Sequence, residues 1–518
     1  MTIRAQLPWF SLTERNRGRC PGFHHQPTPS AQRTARCPVA SPHDPWEMPV
    51  RRLAPLLAAF IAMLLPTAAH ASASQSTLFE APRELMSDDA GLRAQTLDEI
   101  KALGAEWVRV VLYWRDVAPD PNAREVPAFN ERDPGAYPGF GKYDRVLAEM
   151  RARGLNPLVT VTAPAPRWAT RFRQDFVTRP EPARFARFFE AVVRRYGDVR
   201  HFGVWNEPNH PDFLQPQYAG QGKRRESVSG KLYRRLFQAA SDGRRNAGRP
   251  GVRLLFGETS PRGNTNVSYP LRFFRDALCM SRSWNKRSSC QELDAHAYAH
   301  HPYTTKSGPW FVPPNRDDVT IGSLSRLNRA LARAGRENAL RRGMGIWMTE
   351  FGIQSLPDTV QGVSETAQAE YRAVGERMAW RNPRVRMFAQ YLMRDSEPGS
   401  RNRRGNLTFP GFESGLRQAG GDQKRAYDGF RTPLVARRLS NGQTYLWGLV
   451  RPGDGAQLVA IDVRSSRGGW RSLKRDRTDA RGYWTATTRT VRGREYRVRW
   501  TDPQGTQHTG SPTRAYAR

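Results

Sequence analysis

Cysteine is nearly missing from this chain, with four in 518 residues. Cys20 and Cys37 fall in a stretch expected to be absent from the mature protein. Cys279 and Cys290 flank a polar turn with Ser281, Asn285 and Lys286. No second Cys or His pair stands at zinc spacing, so no metal is expected. Long apolar runs are also scarce. The stretch Leu53 to Leu65 is too short to span a bilayer comfortably, and no other comes closer. Nucleotide fingerprints are lacking too: no Gly-rich dinucleotide turn or phosphate loop follows a strand pattern, and no cofactor is implied. No internal repeat stands out.

Acidic residues are outnumbered, 48 Asp and Glu against 82 Lys and Arg, for a net charge of +34. The excess is mostly arginine and is spread along the chain. Nucleic-acid-binding modules concentrate such charge in a patch, so no nucleic-acid partner is expected. Attraction to an acidic polymer or cell surface is the functional reading; an arginine-rich proteome style is the plain one. With 38% hydrophobic and 25% charged residues, most of the chain is expected to be globular.

Residues 48–71 suggest the compartment. Arg51 and Arg52 precede the apolar run, and Ala69-His70-Ala71, or Ala71-Ser72-Ala73, closes it. This is the charged, apolar and small-residue order of a signal peptide, against a short membrane anchor. Residues 1–47 are polar and aperiodic, so translation is expected to start at Met48. Cleavage would leave a chain with 74 basic and 45 acidic residues, net +29. Such a chain is expected to be secreted or surface-associated, without stable membrane insertion. In that setting Cys279 and Cys290 are expected to form one disulfide.

Across residues 72–432 short apolar runs alternate with amphipathic helical patterns. Strands are expected at 78–80, 107–113, 155–161, 202–205, 252–256, 293–298, 345–348 and 385–392. Phe185, Phe188, Phe189, Val192, Val193 and Tyr196 form one helical stripe. Eight βα repeats predict a (β/α)8 barrel, whose functional groups gather at the C-terminal strand ends. Residues 433–518 change character. Runs at 446–450, 457–463, 483–487 and 496–500, separated by Gly, Asp and Pro turns, predict a small antiparallel β-sandwich. It is expected to scaffold the barrel rather than to bind carbohydrate.

Two carboxylates stand at strand ends. Glu207 lies in Trp205-Asn206-Glu207-Pro208-Asn209, and Glu350 in Trp347-Met348-Thr349-Glu350-Phe351-Gly352. A glycosidic bond needs one carboxyl to protonate the departing oxygen and another to attack or stabilise the anomeric carbon. Held close together, one of the two has its pKa raised. Glu258 is a rival carboxylate, expected to order a loop. His296 and His300 are expected to pack or to support the site. Trp114, Trp168, Trp284 and Trp310 lie in or near expected loops and offer faces for stacking on sugars or for the core.

These motifs, in order and at this spacing, resemble the clan A retaining glycoside hydrolases, most like family 5 or family 39, over roughly residues 79–431. The resemblance implies that Glu207 is the acid/base, Glu350 the nucleophile, and Asn206 a partner of the sugar 2-hydroxyl. It places Arg109 at the end of the second strand, holding the nucleophile charged. It assigns His301 and Tyr303 to orienting the nucleophile and sugar. At the eighth strand the chain departs from the pattern: Gln390 or Tyr391 stands where relatives carry a Trp platform. The expectation is a secreted retaining glycosidase acting on a poly- or oligosaccharide. The alternatives are a non-catalytic polysaccharide-binding or envelope protein on the same scaffold, and a transglycosylase.

Overall fold

The computed structural model describes residues 75–222, 225–401, 407–408, 411–465 and 468–517. The expected leader, the segment before it, Cys20 and Cys37 lie outside the described residues.

Eight parallel strands close into a barrel. They are β1 (Ser76–Glu80), β2 (Trp107–Tyr113), β3 (Asn156–Thr162), β4 (His201–Val204), β5 (Arg253–Thr259), β6 (Ala297–His300), β7 (Gly345–Met348) and β8 (Val385–Tyr391). β1 closes the ring against β8, with Glu80 opposite Tyr391. Around the barrel run α1 (Ala90–Ala102), α2 (Gly141–Ala152), α3 (Pro182–Arg195), α4 (Ser229–Asn246), α5 (Pro270–Ala277), α6 (Leu324–Arg336), α7 (Glu365–Trp380) and α8 (Arg425–Arg431).

The helical stripes lie where their periodicity puts them. On α3, Phe185, Phe188, Phe189, Val192 and Val193 are all buried against the strands. Each is worth about 1.5–3 kcal/mol of transfer free energy. Val108, Val110 and Leu112 of β2 join this outer core, while Leu78, Leu158, Leu255, Ala297, Ala299, Met387 and Ala389 form a separate cluster with Trp347. Trp107, His201, His296 and Trp347 pack ring against ring beside that cluster. The barrel interior is therefore packed, and the chemistry is confined to the other end of the strands.

After α8 come β9 (Leu434–Arg438), β10 (Gln443–Leu449), β11 (Leu458–Arg464), β12 (Arg471–Arg477), β13 (Tyr483–Arg489), β14 (Glu495–Thr501) and β15 (Gln507–Thr509). β9, β10 and β13 form one antiparallel sheet; β12, β11, β14 and β15 form the other, with the short strand Thr513–Arg514 also paired to β14. Leu434, Leu446, Trp484, Ile461, Tyr496, Val498 and Trp500 fill the space between them. A second cluster, including Val374 of α7, Val435, Trp447 and Tyr483, joins the sandwich to the barrel. Cys279 and Cys290 form a disulfide that closes the loop after α5.

Candidate active site

β4 ends at Val204, and the chain turns at once through Trp205 and Glu207, both at positive φ (70° and 37°). Non-glycine residues hold this conformation at a cost, and such positions cluster at functional sites. Backbone contacts fix the turn: Glu207 N–H donates to Glu258 O at 3.0 Å, and His210 N–H donates to Glu207 O at 2.8 Å. The indole of Trp205 is buried and donates to Phe213 O at 2.9 Å, anchoring the turn. Glu207 and Glu350 are only 4% and 9% exposed. One oxygen of each lies with a nitrogen of His301 in a group whose members are all within 4.8 Å of one another.

Arg109 binds the site together. It is 1% exposed, and its guanidinium is used on every side. Nη1 donates to Glu80 and Glu350, and Nη2 to Asn206 Oδ1 and Glu258, each at 2.6 Å. Nε donates to Thr160 Oγ1 at 3.1 Å. Sequence reasoning put Arg109 at the end of its strand, but it is the third of seven residues in β2. Residues 108, 110 and 112 of β2 pack in the outer core, so alternation turns Arg109 inward. Its long side chain then reaches the strand ends.

His301 and Tyr303 both reach the carboxylates. His301 Nδ1 is 2.9 Å from Glu207 Oε1 and 3.5 Å from Glu350 Oε2. Tyr303 Oη donates to Glu350 Oε2 at 3.0 Å. Asn206 presents Oδ1 to Arg109, which can only donate, so the amide orientation is fixed. The backbone N–H of Asn206 donates to Thr162 Oγ1 at 2.9 Å.

Gln390 is a correction. Its Oε1 accepts from Arg372 Nε at 2.6 Å, and its Nε2 donates to the carbonyls of Tyr391, Leu392 and Ser414. Ala389 faces the barrel interior, so alternation sends Gln390 outward to α7. Tyr391 turns back inward and packs edge-on against Tyr303 (6.1 Å) and Phe412 (5.5 Å). Trp114 and Trp168 are fully buried, and Trp114 stacks on Phe188, so both are core residues. Trp284 carries Arg275 and Arg333 beside its ring, and Trp310 packs on Tyr371 and Tyr516. His300 is tied to Thr259 and Val319 O, a support role as expected.

The Glu258 carboxylate does not order a loop; only its backbone carbonyl holds the turn after β4. It occupies a bulge in β5, between Gly257 and Thr259, at φ 45°. Bulges re-aim side chains near active sites. Here the bulge aims a fully buried carboxylate at Arg109, with Thr160 Oγ1 donating to Glu258 Oε1 at 2.8 Å. Gly203 makes room: a Cβ there would stand 2.0 Å from Glu258 Oε1 and 2.5 Å from Thr160 Oγ1. Glu80 was missed. Its signal was present, an acid closing an apolar strand, the same signal that marked the other two.

One cation therefore faces the carboxylates of Glu80, Glu258 and Glu350, with Glu207 close by. Burial and then Glu350 push Glu207 well above the usual carboxylate range, against the pull of Arg109. Burial pushes Glu80 up to about 8, with Arg109 opposing and Glu350 reinforcing. Burial also raises Glu258, opposed by Arg109 and Thr160. Burial, with Arg109 nearby, drives His301 well below its ordinary value, so its contact with Glu207 is a hydrogen bond of a neutral ring. Burial and Glu350 raise Tyr303, keeping the hydroxyl a donor.

Glu207, His301 and Glu350 also form a set of three donors of the kind that holds a metal ion. The set fits poorly. Arg109 and Tyr303 already donate to the two oxygens of Glu350. A divalent ion there would sit beside a buried guanidinium, and like charges in a low-dielectric interior repel strongly.

No family model matches the chain, and no curated protein matches it. Solved structures do. A family 39 glycoside hydrolase from Bacteroides cellulosilyticus WH2 is 14% identical, over 81% of this chain and 80% of that one, with a TM-score of 0.45. A monomeric beta-xylosidase from Caulobacter crescentus CB15 is 13% identical over 83% and 96%, with a TM-score of 0.47. A beta-glucosidase from Thermotoga maritima is 12% identical over 70% and 97%, with a TM-score of 0.43. None is similar enough to lend its chemistry to this chain.

Proposed function

We propose that this chain is a secreted retaining glycoside hydrolase that cleaves O-glycosidic bonds of a poly- or oligosaccharide. One observation carries the reading: Glu207 and Glu350 stand just past the ends of β4 and β7 with one carboxylate oxygen of each within 4.8 Å of the other. Retaining enzymes hold their carboxyls about 5–5.5 Å apart, while inverting enzymes leave about 6.5–9.5 Å for a water.

The geometry divides the labour. Burial, and then the neighbouring Glu350, favours the protonated form of Glu207. His301 holds Oε1, leaving Oε2 for the glycosidic oxygen. Glu350 attacks the anomeric carbon while the C–O bond breaks and the Glu207 proton passes to the departing oxygen. A covalent glycosyl-enzyme results. Glu207, now ionised, takes a proton from water; the water oxygen attacks the same carbon and releases Glu350. Arg109 and Tyr303 fix Glu350 in its attacking orientation throughout. Arg109 holds Asn206 by its oxygen, which turns the amide NH2 toward a sugar hydroxyl.

Export is supported by the leader-like run of residues 48–71 and by the Cys279–Cys290 disulfide, a bond typical of oxidising compartments. A panel of aryl β-glycosides and polysaccharides tests the activity. Turnover by the protein and its loss in Glu350→Gln is the expected result. Equal turnover in both would remove Glu350 as nucleophile.

A further inference from the structure

The C-terminal region is the most densely basic part of the chain. Residues 433–518 carry 17 Arg and Lys against 6 Asp and Glu, whereas residues 75–432 carry 57 against 39. The strand pairing concentrates part of this excess on one surface. In the sheet of β12, β11, β14 and β15, Val459, Ile461, Val463, Tyr496, Val498 and Trp500 face the core. The opposite face is set by register. Arg475, Ala460 and Arg499 form one row, Ser472, Asp462 and Arg497 the next, and Arg464 lies opposite Glu495. Arg477 lies opposite Leu458 at the end of the face.

This face already takes carboxylates between guanidiniums. Asp462, 2% exposed, accepts from Arg499 Nε at 2.7 Å and from Arg497 Nε at 3.1 Å. Glu495 accepts from Arg464 at 2.6 Å and from Arg514 at 2.9 Å. Trp470 braces the layer, with the guanidinium of Arg497 4.3 Å and that of Arg464 4.7 Å from its ring. Guanidiniums held this way lose less freedom on binding an anion. Arg475 and Arg477 are exposed and make no ion pair among the described residues. β12 is an edge strand, and edges need charge to block strand addition. Lysine commonly meets that need, but edge protection asks for no guanidiniums braced by a tryptophan, as Arg464 and Arg497 are by Trp470.

We propose that the outer face of this sheet binds an acidic polysaccharide whose uronate carboxylates are taken by Arg475, Arg477 and the braced arginines beside them. Arginine forks match carboxylates geometrically, and a row of them suits a polymer with an anion on successive sugars. The choice of a polysaccharide over nucleic acid rests on reading the barrel as a glycosidase. The face would hold the polymer from which that barrel draws its substrate.

The test uses the full chain on immobilised polygalacturonate, with dextran as the neutral control and duplex DNA as competitor. Expected is retention on polygalacturonate at low salt, none on dextran, and release as salt screens the charges. The pair Arg475→Glu and Arg477→Glu should weaken binding roughly tenfold or more, and Trp470→Ala a few-fold, consistent with loss of charge-assisted contacts. Melting temperature and hydrolysis of a small aryl glycoside should stay at wild-type level in both, which excludes misfolding. Unchanged binding in the double variant, no retention at all, or equal retention on dextran would overturn the proposal. So would DNA displacing the protein at lower concentration than polygalacturonate does. Glu350→Gln should bind like wild type. Absence of glycosidase activity with binding intact would sink the barrel reading and leave this one standing.

Discussion

Two buried charge clusters in this molecule look alike and behave in opposite ways. At the barrel mouth one guanidinium, Arg109, serves Glu80, Glu258 and Glu350. Between barrel and sandwich two guanidiniums, Arg372 and Arg451, serve one carboxylate, Glu376. Burial disfavours charge in both places. Around Glu376 the cations outweigh it: burial would raise this carboxyl, but Arg451 and Arg372 hold it below its ordinary value. Burial lowers Arg372 only to about 10, so it stays charged beside the ionised Glu376 at neutral pH. Around Arg109 cations are outnumbered, and Glu80, Glu258 and Glu207 are all raised. A cluster whose cations outnumber its carboxylate holds structure together. A cluster with surplus carboxyls stores protons, which acid–base chemistry requires.

Removing the stored proton should give the largest effect after loss of the nucleophile. Glu207→Ala should slow cleavage of substrates with poor leaving groups by about 10²–10⁴-fold and barely affect activated aryl glycosides. Rates against leaving-group pKa check this; equal losses would argue against the acid role.

The two arginine clusters can be set against each other directly. Arg109→Met leaves the buried carboxyls of Glu80, Glu258 and Glu350 without their cation and should cost about 3–5 kcal/mol by chemical denaturation, whereas Arg451→Met leaves Glu376 its bond to Arg372 and should cost less. Only the first should lose turnover in the fraction that stays folded. Loss of activity in the folded Arg451→Met protein would erase the distinction.

Gly203→Ala probes the bulge at lower cost. Its Cβ would press on Glu258 and Thr160, so about 1–3 kcal/mol of overpacking is expected, with turnover reduced by displacement of Arg109. Wild-type stability and rate would show that Glu258 has room to spare.

Glu80 should give the mildest signature. Its folded value of about 8 lies above its ordinary 4.5, so its contribution to stability is complete below about 4.5 and fades as pH rises through about 8. Glu80→Gln cannot titrate. The fall in melting temperature between these pH values should be shallower in the variant, and identical slopes would contradict the assignment.

The barrel was legible because its strands are short apolar runs set between helices, several of which, α3 to α6, carry a clear 3.6-residue stripe. The pair Glu207 and Glu350 was legible because carboxylates at apolar strand ends are costly and therefore informative. What stayed hidden depends on neighbours far away in sequence. Glu258 reads as a loop residue until the bulge in β5 turns it inward. Gln390 reads as a cleft residue until strand alternation sends it to Arg372. Glu376 sits on a helix, and its partner Arg451 lies 75 residues away. Strand β12, Arg-Ser-Leu-Lys-Arg-Asp-Arg, has one apolar residue in seven, so its strand character comes from pairing with β11 and not from its own pattern.

The most direct test is covalent trapping. The protein would be treated with a panel of activated 2-deoxy-2-fluoro glycosides and examined intact and after digestion by mass spectrometry. Addition of one sugar, mapped to Glu350 and absent from Glu350→Gln, is the predicted result. A label on Glu207, or undiminished turnover of the parent glycoside by Glu350→Gln, would contradict it.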